Sequence, residues 1–348
     1  MNIVIAGNLG YVGSSVVRRL RTSYPDGKLT GIDMGFFSGC ITNPDFLAEC
    51  MMNEQRYNDI RTVQEELFEG VDHVVHLAGV SNDSIGNRFE AVTYDINYQA
   101  SISLAAKAKR AGVKSFIFAS SCSIYGFAQD GAKLEDSSLD PLTAYAKSKV
   151  MTEKALEKMA DGNFKVTCLR FSTACGMSDR LRLDLVLNDF VAGAVTSKKI
   201  TILSDGTPWR PLINVKDMAR AIDWAITRET ADERDFLAIN VGCDEWNYQV
   251  RDLAEAVAAV IPGVKIEINQ NAMPDKRSYR VNFSLFRKLA PDHQPQVDLN
   301  STIRELETGL RTIGFNEENF RNNPKYIRLY TLNMLLDKGL INDKLTWC

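Results

Sequence analysis

Ile3-Val-Ile-Ala6 is a short, partly β-branched apolar run that stops on Gly7. Gly10 and Gly13 follow at three-residue steps, and a helical pattern from Ser14 to Leu20 comes straight after. The run reads as a buried strand. Strand, glycine turn and helix in that order are the setting of a dinucleotide fingerprint. Gly7 permits the tight turn, Gly10 lets backbone approach a pyrophosphate, and Gly13 lets the helix pack close to the strand. The helix N-terminus adds N–H groups and a positive dipole end for phosphate. The spacing is G-x-x-G-x-x-G, and a glycine triplet alone also fits an ordinary strand–turn–helix.

A second strand adds weight. Lys28-Leu-Thr-Gly-Ile-Asp33 ends in a carboxylate 20 residues after Gly13. An acid there accepts the ribose hydroxyls of the adenosine half and repels a 2′-phosphate, which predicts NAD and not NADP. Asp59-Ile60 pairs an acid with an apolar residue. Such a pair can take an adenine amine and cover its ring, and it equally suits a helix N-cap.

The 348 residues are 45% apolar, enough for one large or two modest cores. There are 41 basic and 44 acidic residues, a net charge of −3 with no basic block, so no nucleic-acid partner is expected. No apolar run reaches the length of a membrane span. The chain starts on a core strand without a signal-peptide layout. Seven cysteines without C-x-x-C spacing predict neither a disulfide framework nor a zinc site. The three histidines, His73, His76 and His293, predict no metal centre. A reduced, cytoplasmic setting is expected.

Strands and helices alternate to about residue 170. Helices are expected over 45–53 and 62–68, and a buried strand over 71–79 that ends in small residues. One long amphipathic helix over 89–112 carries Asn97. A strand from Lys114 ends in the hydroxyl cluster Ser120-Ser121-Cys122-Ser123, followed by a helix over 144–159 and a strand over 165–170. Beyond these, helices are expected over 183–196, 215–226, 252–261, 303–313 and 326–338, with strands over 199–203, 238–241 and 265–268. The alternation predicts an α/β fold, a Rossmann-type doubly wound parallel sheet within residues 1–172. Residues 173–348 are expected to form a smaller α/β substrate lobe, interleaved with the first domain. His76 is expected to be a packed histidine and not a base. The stretch 316–348 carries no chemical signature and is expected to serve packing.

The strongest chemical pairing is Tyr145-Ala-Lys-Ser-Lys149, because residues i and i+4 share a helix face. An ammonium beside a phenol, with an oxidised nicotinamide nearby, lowers the phenol from its ordinary pKa of ~10 toward a usable base. A solvated helix face gives the same pattern by chance. The serine-rich strand end about 25 residues upstream favours the chemical reading.

Taken together, these features resemble the extended short-chain dehydrogenase/reductase superfamily, in its NAD-dependent nucleotide-sugar epimerase/dehydratase branch. The matching elements run in order: Gly7-x-x-Gly10-x-x-Gly13, Asp33, Asp59-Ile60, His76-Leu77-Ala78-Gly79, Asn97, Ser120-Ser121-x-x-Ile-Tyr-Gly126, Tyr145-x-x-x-Lys149, Leu169-Arg170 with Gly176, and Arg210 before Val215-Lys-Asp217. The resemblance implies that Tyr145 is the general base for a sugar hydroxyl, that Ser121 aligns that hydroxyl, and that Lys149 holds the nicotinamide ribose and tunes Tyr145. Hydride would pass from the sugar carbon, usually C4, to tightly held NAD. The cofactor would also touch Tyr11, Val12, Leu77, Ala78, Gly79, Asn97 and Phe171.

The same resemblance places a nucleotide-diphosphate sugar against Ser81, Ser121, Cys122, Ser123, Tyr145, Thr173 and Arg210, with Arg277 and Arg280 as candidates for the diphosphate. Arginine suits phosphate because its fork binds two oxygens at once. Arg180 and Arg182 lie in a charged loop and are weaker candidates. Where the family's 4,6-dehydratases carry an Asp-Glu pair after the Ser/Thr, this chain has Cys122-Ser123, and Thr173 replaces a common substrate-contacting Asn. The reading is therefore an NAD-dependent enzyme acting at C4 of a nucleotide sugar, a 4-epimerase. The alternatives are a 4-dehydrogenase or ketoreductase, an unusual 4,6-dehydratase, and a non-catalytic NAD-binding regulatory protein. The resemblance also implies a homodimer paired through the helices near 89–112 and 144–159.

Overall fold

A computed structural model describes residues 1–43, 45–228, 234–269 and 277–348, leaving aside the side chains of residues 129 and 130. The strands among them are β1 (Asn2–Ala6), β2 (Lys28–Asp33), β3 (Glu54–Tyr57), β4 (His73–His76), β5 (Ser115–Ser121), β6 (Phe127–Lys133), β7 (Lys165–Phe171), β8 (Thr173–Cys175), β9 (Lys199–Ile202), β10 (Trp209–Asn214), β11 (Phe236–Val241), β12 (Asn247–Gln249), β13 (Lys265–Ile268) and β14 (Ser278–Val281). Seven of them form one parallel sheet in the order β11-β7-β5-β4-β1-β2-β3.

Alternation along β1 shows why the sheet is covered on both faces. Ile3 and Ile5 join the core beneath helices α1 (Gly13–Ser23), α6 (Val186–Thr196) and α7 (Val215–Thr227). Val4 and Ala6 point the other way, into a core shared with α4 (Ser101–Arg110) and with Leu156 of α5 (Ala144–Glu157). Successive side chains on a strand face opposite ways, so a strand buried twice must be apolar throughout. β1 pairs with β2 on one side and β4 on the other, so strand order reverses there. A crevice opens beyond the carboxyl ends of the strands at such a reversal.

Three expected helices differ. Residues 45–53 form only one 3₁₀ turn, Ala48–Met51, before the chain extends into β3. The Arg21 guanidinium takes Met51 O (2.9 Å) and Asn53 Oδ1 (2.6 Å), which draws this stretch flat against α1. Residues 62–68 likewise give a single 3₁₀ turn at Glu65–Phe68. The long helix expected over 89–112 runs unbroken from Glu90 to Arg110 as α3 (Glu90–Tyr94), a π-helical turn at Asp95–Ala100, and α4, with the short α2 (Asp83–Arg88) ahead of it. Thr152 Oγ1 donates to Asn97 O at 2.8 Å, so that carbonyl bonds α5 at the wide turn.

β11 comes from beyond residue 172 and completes the main sheet beside β7. The second lobe is built on β10, which runs parallel to β8 and antiparallel to β12. Helices α8 (Val250–Val260), α9 (Ser284–Leu289) and α10 (Leu299–Thr312) supply further apolar faces. Helix α11 (Arg328–Asp337) instead packs with Val80, Ile85 and Phe89. Among the described residues no helix is long and apolar enough to cross a membrane.

Candidate active site

A cavity of about 980 Å³ opens at this reversal and runs between the sheet and the second lobe. The glycine turn forms one end. Gly7 has φ +90°, and a Cβ there would stand 2.5 Å from Ala78 N, so the β1 turn lies directly against Leu77-Ala78. Gly10 N donates to Gly7 O at 3.1 Å and closes the turn. A Cβ on Gly13 would stand 2.5 Å from Gly7 O, which is why α1 can start so close to β1.

Asp33 accepts from Leu9 N (3.2 Å) and Gly35 N (2.8 Å), which holds its carboxylate against the glycine turn. Burial pushes its carboxyl above the usual range, and the two backbone bonds pull it back down. Bare turn backbone, a helix N-terminus and this carboxylate fit a dinucleotide with free ribose hydroxyls. Asp59 and Ile60 are in the same wall. The Asp59 carboxylate is taken by Arg61 at 2.6 Å. Tyr11 donates to Gly176 O at 2.7 Å and accepts from Asn188 Nδ2 at 3.0 Å, tying the turn to the second lobe.

The chemical centre is built on α5 and β5. Thr143 Oγ1 caps α5 by accepting from Ala146 N at 3.2 Å, so the helix begins just before Tyr145. One turn later Lys149 Nζ donates to Ala119 O (2.7 Å), 4.5 Å from the Phe118 ring centre and 5.7 Å from that of Tyr145. Ser121 and Tyr145 face the same cavity. Burial pushes the Tyr145 phenol up, while the nearby Ser121 hydroxyl and the Arg182 guanidinium lower it. Burial outweighs the charges around the phenol in the chain by itself, whereas the lowering expected from the sequence combines Lys149 with an oxidised nicotinamide. Burial also takes Lys149 down to about 8, opposed by the Glu153 carboxylate.

Behind these groups lies a buried ion pair. Arg170 Nη2 meets Glu153 Oε2 at 2.8 Å, and Glu153 also accepts from Ser120 Oγ, beside Ser121. Arg170 Nη1 donates to Tyr125 OH (3.1 Å) and Glu135 O (2.8 Å). His76 is fully buried against Ser101 Oγ at 2.7 Å and is pushed down to about 3, a packed neutral ring as its sequence setting predicts.

The cavity brings together Gly7, Gly10, Tyr11, Val12, Gly13, Asp33, Asp59, Ile60, Leu77, Ala78, Gly79, Ser81, Ser121, Ser123, Tyr145, Lys149, Phe171, Thr173, Arg210 and Arg277. Three candidates are not in its wall. Asn97 sits behind Gly79, accepting from Val80 N (2.7 Å) and donating to Val80 O (2.9 Å), so it shapes the turn from the rear. Cys122 turns its thiol to Arg170 O at 3.0 Å, and burial pushes that thiol up. Arg280 lies exposed on β14 over the Trp209 ring, 5.2 Å from its centre. Of the two weaker arginines, Arg180 is turned to Glu49 (2.5 Å), whereas Arg182 is in the wall. Arg182 pairs with Asp184 (2.7 Å) and donates to Ser81 Oγ (3.1 Å). Sequence reasoning missed Asp83, which accepts from Thr143 Oγ1 (2.6 Å) and Arg277 (2.9 Å). It also missed a wall made by Ile327 to Tyr330, Leu332 and Leu345, for which no sequence signal existed.

The family model described as NAD dependent epimerase/dehydratase family matches residues 3–242. An uncharacterized UDP-glucose epimerase, YtcB, of Bacillus subtilis is 29% identical over 231 residues, 64% of this chain and 71% of that protein. A dTDP-glucose 4,6-dehydratase of Streptomyces griseus is 28% identical over 238 residues, 66% and 71% of the two chains. The fold is shared with MoeE5 in complex with UDP-glucuronic acid and NAD, at TM-score 0.76 and 21% identity, covering 90% of this chain and 99% of that one.

Proposed function

The chain belongs to the NAD dependent epimerase/dehydratase family, and from that premise we propose that it is a nucleotide-sugar 4-epimerase. NAD is the cofactor, and when bound it supplies a reversible acceptor for the hydrogen on the sugar carbon. Gly7, Gly10, Asp33, Asp59-Ile60, Leu77 to Gly79, Lys149 and Phe171 hold it. Tyr145 takes the proton of the C4 hydroxyl at its phenol oxygen and later gives it back. Ser121 aligns that hydroxyl, and the Lys149 ammonium keeps the phenolate form within reach. Arg210 and Arg277 bind the diphosphate.

The carrying observation is the makeup of the β5 end. Tyr145 and Ser121 share the cavity wall there, and the next two side chains are an inward-turned thiol and the hydroxyl of Ser123. Ser123 Oγ is buried without a hydrogen-bond partner among the described residues, which suits a sugar hydroxyl. Water elimination across C5 and C6 needs an acid and a base beyond Tyr145. Asp83, the carboxylate that acts on the Tyr145 phenol, is engaged by Arg277, and Asp184 elsewhere in the cavity wall by Arg182. The same reading carries a homodimer in the cytoplasm, paired through the helices at 89–112 and 144–159, where Met151 is exposed.

The test is a panel of UDP-, GDP-, CDP- and dTDP-sugars incubated with the purified protein, with C4 configuration read by NMR. Inversion without net NADH supports the epimerase, and Tyr145→Phe should slow it by about 10²–10⁴. Stoichiometric NADH makes it a dehydrogenase, and a dehydrated ketosugar makes it a dehydratase.

A further inference from the structure

Residues 340–348 fold into a small closed loop. Ile341 and Trp347 form an antiparallel bridge. Asn342 N donates to Thr346 O (3.0 Å), Cys348 N to Leu340 O (3.0 Å) and Leu345 N to Asn342 O (2.8 Å). The loop holds Leu345 at φ +51°, a left-handed backbone that a bulky residue adopts only when its surroundings impose it.

Two attachments impose it. The Trp347 indole N–H donates to Met34 O at 2.7 Å, and its ring lies 5.2 Å from that of Phe36. Both contacts fall just after Asp33. The Arg61 guanidinium donates to Lys344 O (2.8 Å) and Leu345 O (2.9 Å) while it holds Asp59 (2.6 Å) and Asp95 (3.1 Å). The loop is therefore tied to the two stretches that Asp33 and Asp59-Ile60 mark as the adenosine end. Leu345 is 2% exposed, packs with Val80, Ile85 and Ile341, and shares the cavity wall with Asp33, Phe36 and Ile60.

We propose that segment 340–348 is part of the NAD site, with Leu345 walling the adenosine end and Trp347 and Arg61 fastening a clasp that opens before NAD leaves. Opening breaks the indole bond and both Arg61 carbonyl bonds together and exposes Leu345 to water, so departure of the cofactor is slow. Cofactor retention is independent of which sugar is turned over. The proposal therefore stands or falls separately from the reaction.

NADH release from the full protein is followed by its fluorescence on mixing with excess NAD, for the wild type, Trp347→Ala, Leu345→Ala and a variant ending at Gly339. Losing the indole bond and its ring contact should speed release by about tenfold or more, and the shortened variant should be faster still. In the wild type, NAD should slow hydrogen exchange at the Leu345 and Cys348 amides. Unchanged release in folded Trp347→Ala and Leu345→Ala overturns the clasp, whatever their melting temperatures. If the shortened chain does not fold, those two point variants decide alone.

Discussion

Glu153→Leu is the substitution that best tests the physics beneath the active site. The side chains of Glu153 and Arg170 are 5% and 8% exposed. Arg170 Nε reaches both carboxylate oxygens (3.2 and 3.1 Å) and Nη2 reaches one (2.8 Å). Leucine removes both acceptor oxygens, and with them all three contacts, and leaves a guanidinium charge in a site closed to water. Stripping one partner from a buried pair costs about 3–5 kcal/mol, a large share of the ~5–15 kcal/mol that keeps a protein folded. Glu153→Leu with Arg170→Met removes both charges. What then loses its partner is neutral, namely Ser120 Oγ and Glu135 O, while Tyr125 OH keeps Asn240 Oδ1 (2.6 Å), at about 1–3 kcal/mol in all if the pocket closes around the new side chains. The double variant should therefore be more stable than Glu153→Leu alone. Urea unfolding followed by tryptophan fluorescence, at constant m-value, measures Glu153→Leu, Arg170→Met and the double variant. A loss below about 1 kcal/mol for Glu153→Leu, or a double variant equal to the sum of the singles, refutes the buried-pair reasoning.

Lys149 sets a pH dependence whose sign is fixed. Its pKa falls from 10.5 to about 8 in the folded chain, so between those values the unfolded chain binds more protons. Its burial penalty is then fully present below pH 8 and relieved as pH rises through that window. The urea midpoint of the wild type should gain on that of Lys149→Met from about pH 8 to 10.5, and a constant gap contradicts the assignment. Turnover that needs the ammonium should fall over the same rise. Gly7→Ala puts a Cβ 2.5 Å from Ala78 N at φ +90°. It should weaken NAD binding by tenfold or more in calorimetry, and an unchanged affinity sinks the close-approach reading of that turn.

Much of this was legible because the residues involved have local signatures. A glycine triplet after a β-branched run, an acid at the end of the next strand and Tyr145 one turn before Lys149 each depend on spacing within one element. The cavity brings those groups together. The illegible parts are set by tertiary partners. β3 is a polar edge strand, Glu-Gln-Arg-Tyr, with no apolar alternation to betray it. The π turn inside the 89–112 helix goes with Thr152, more than fifty residues away, bonding the Asn97 carbonyl. Cys122 follows Ser121 directly, yet its thiol turns inward to β7, a direction that sequence spacing does not encode. Asp83 meets Arg277, and Arg182 meets Ser81, only across long stretches of chain, so neither contact carries a local motif.

The placement of β11 bears on how the chain can be made. β7 waits with one edge of its hydrogen-bonding groups unpaired until residues 236–241 arrive to close it. During synthesis the whole intervening stretch, including α6, β10 and α7, must leave the ribosome first. An open parallel edge is an aggregation hazard while it lasts. Six of the seven strands precede β11, so the sheet closes only once much of the opposite lobe has been translated.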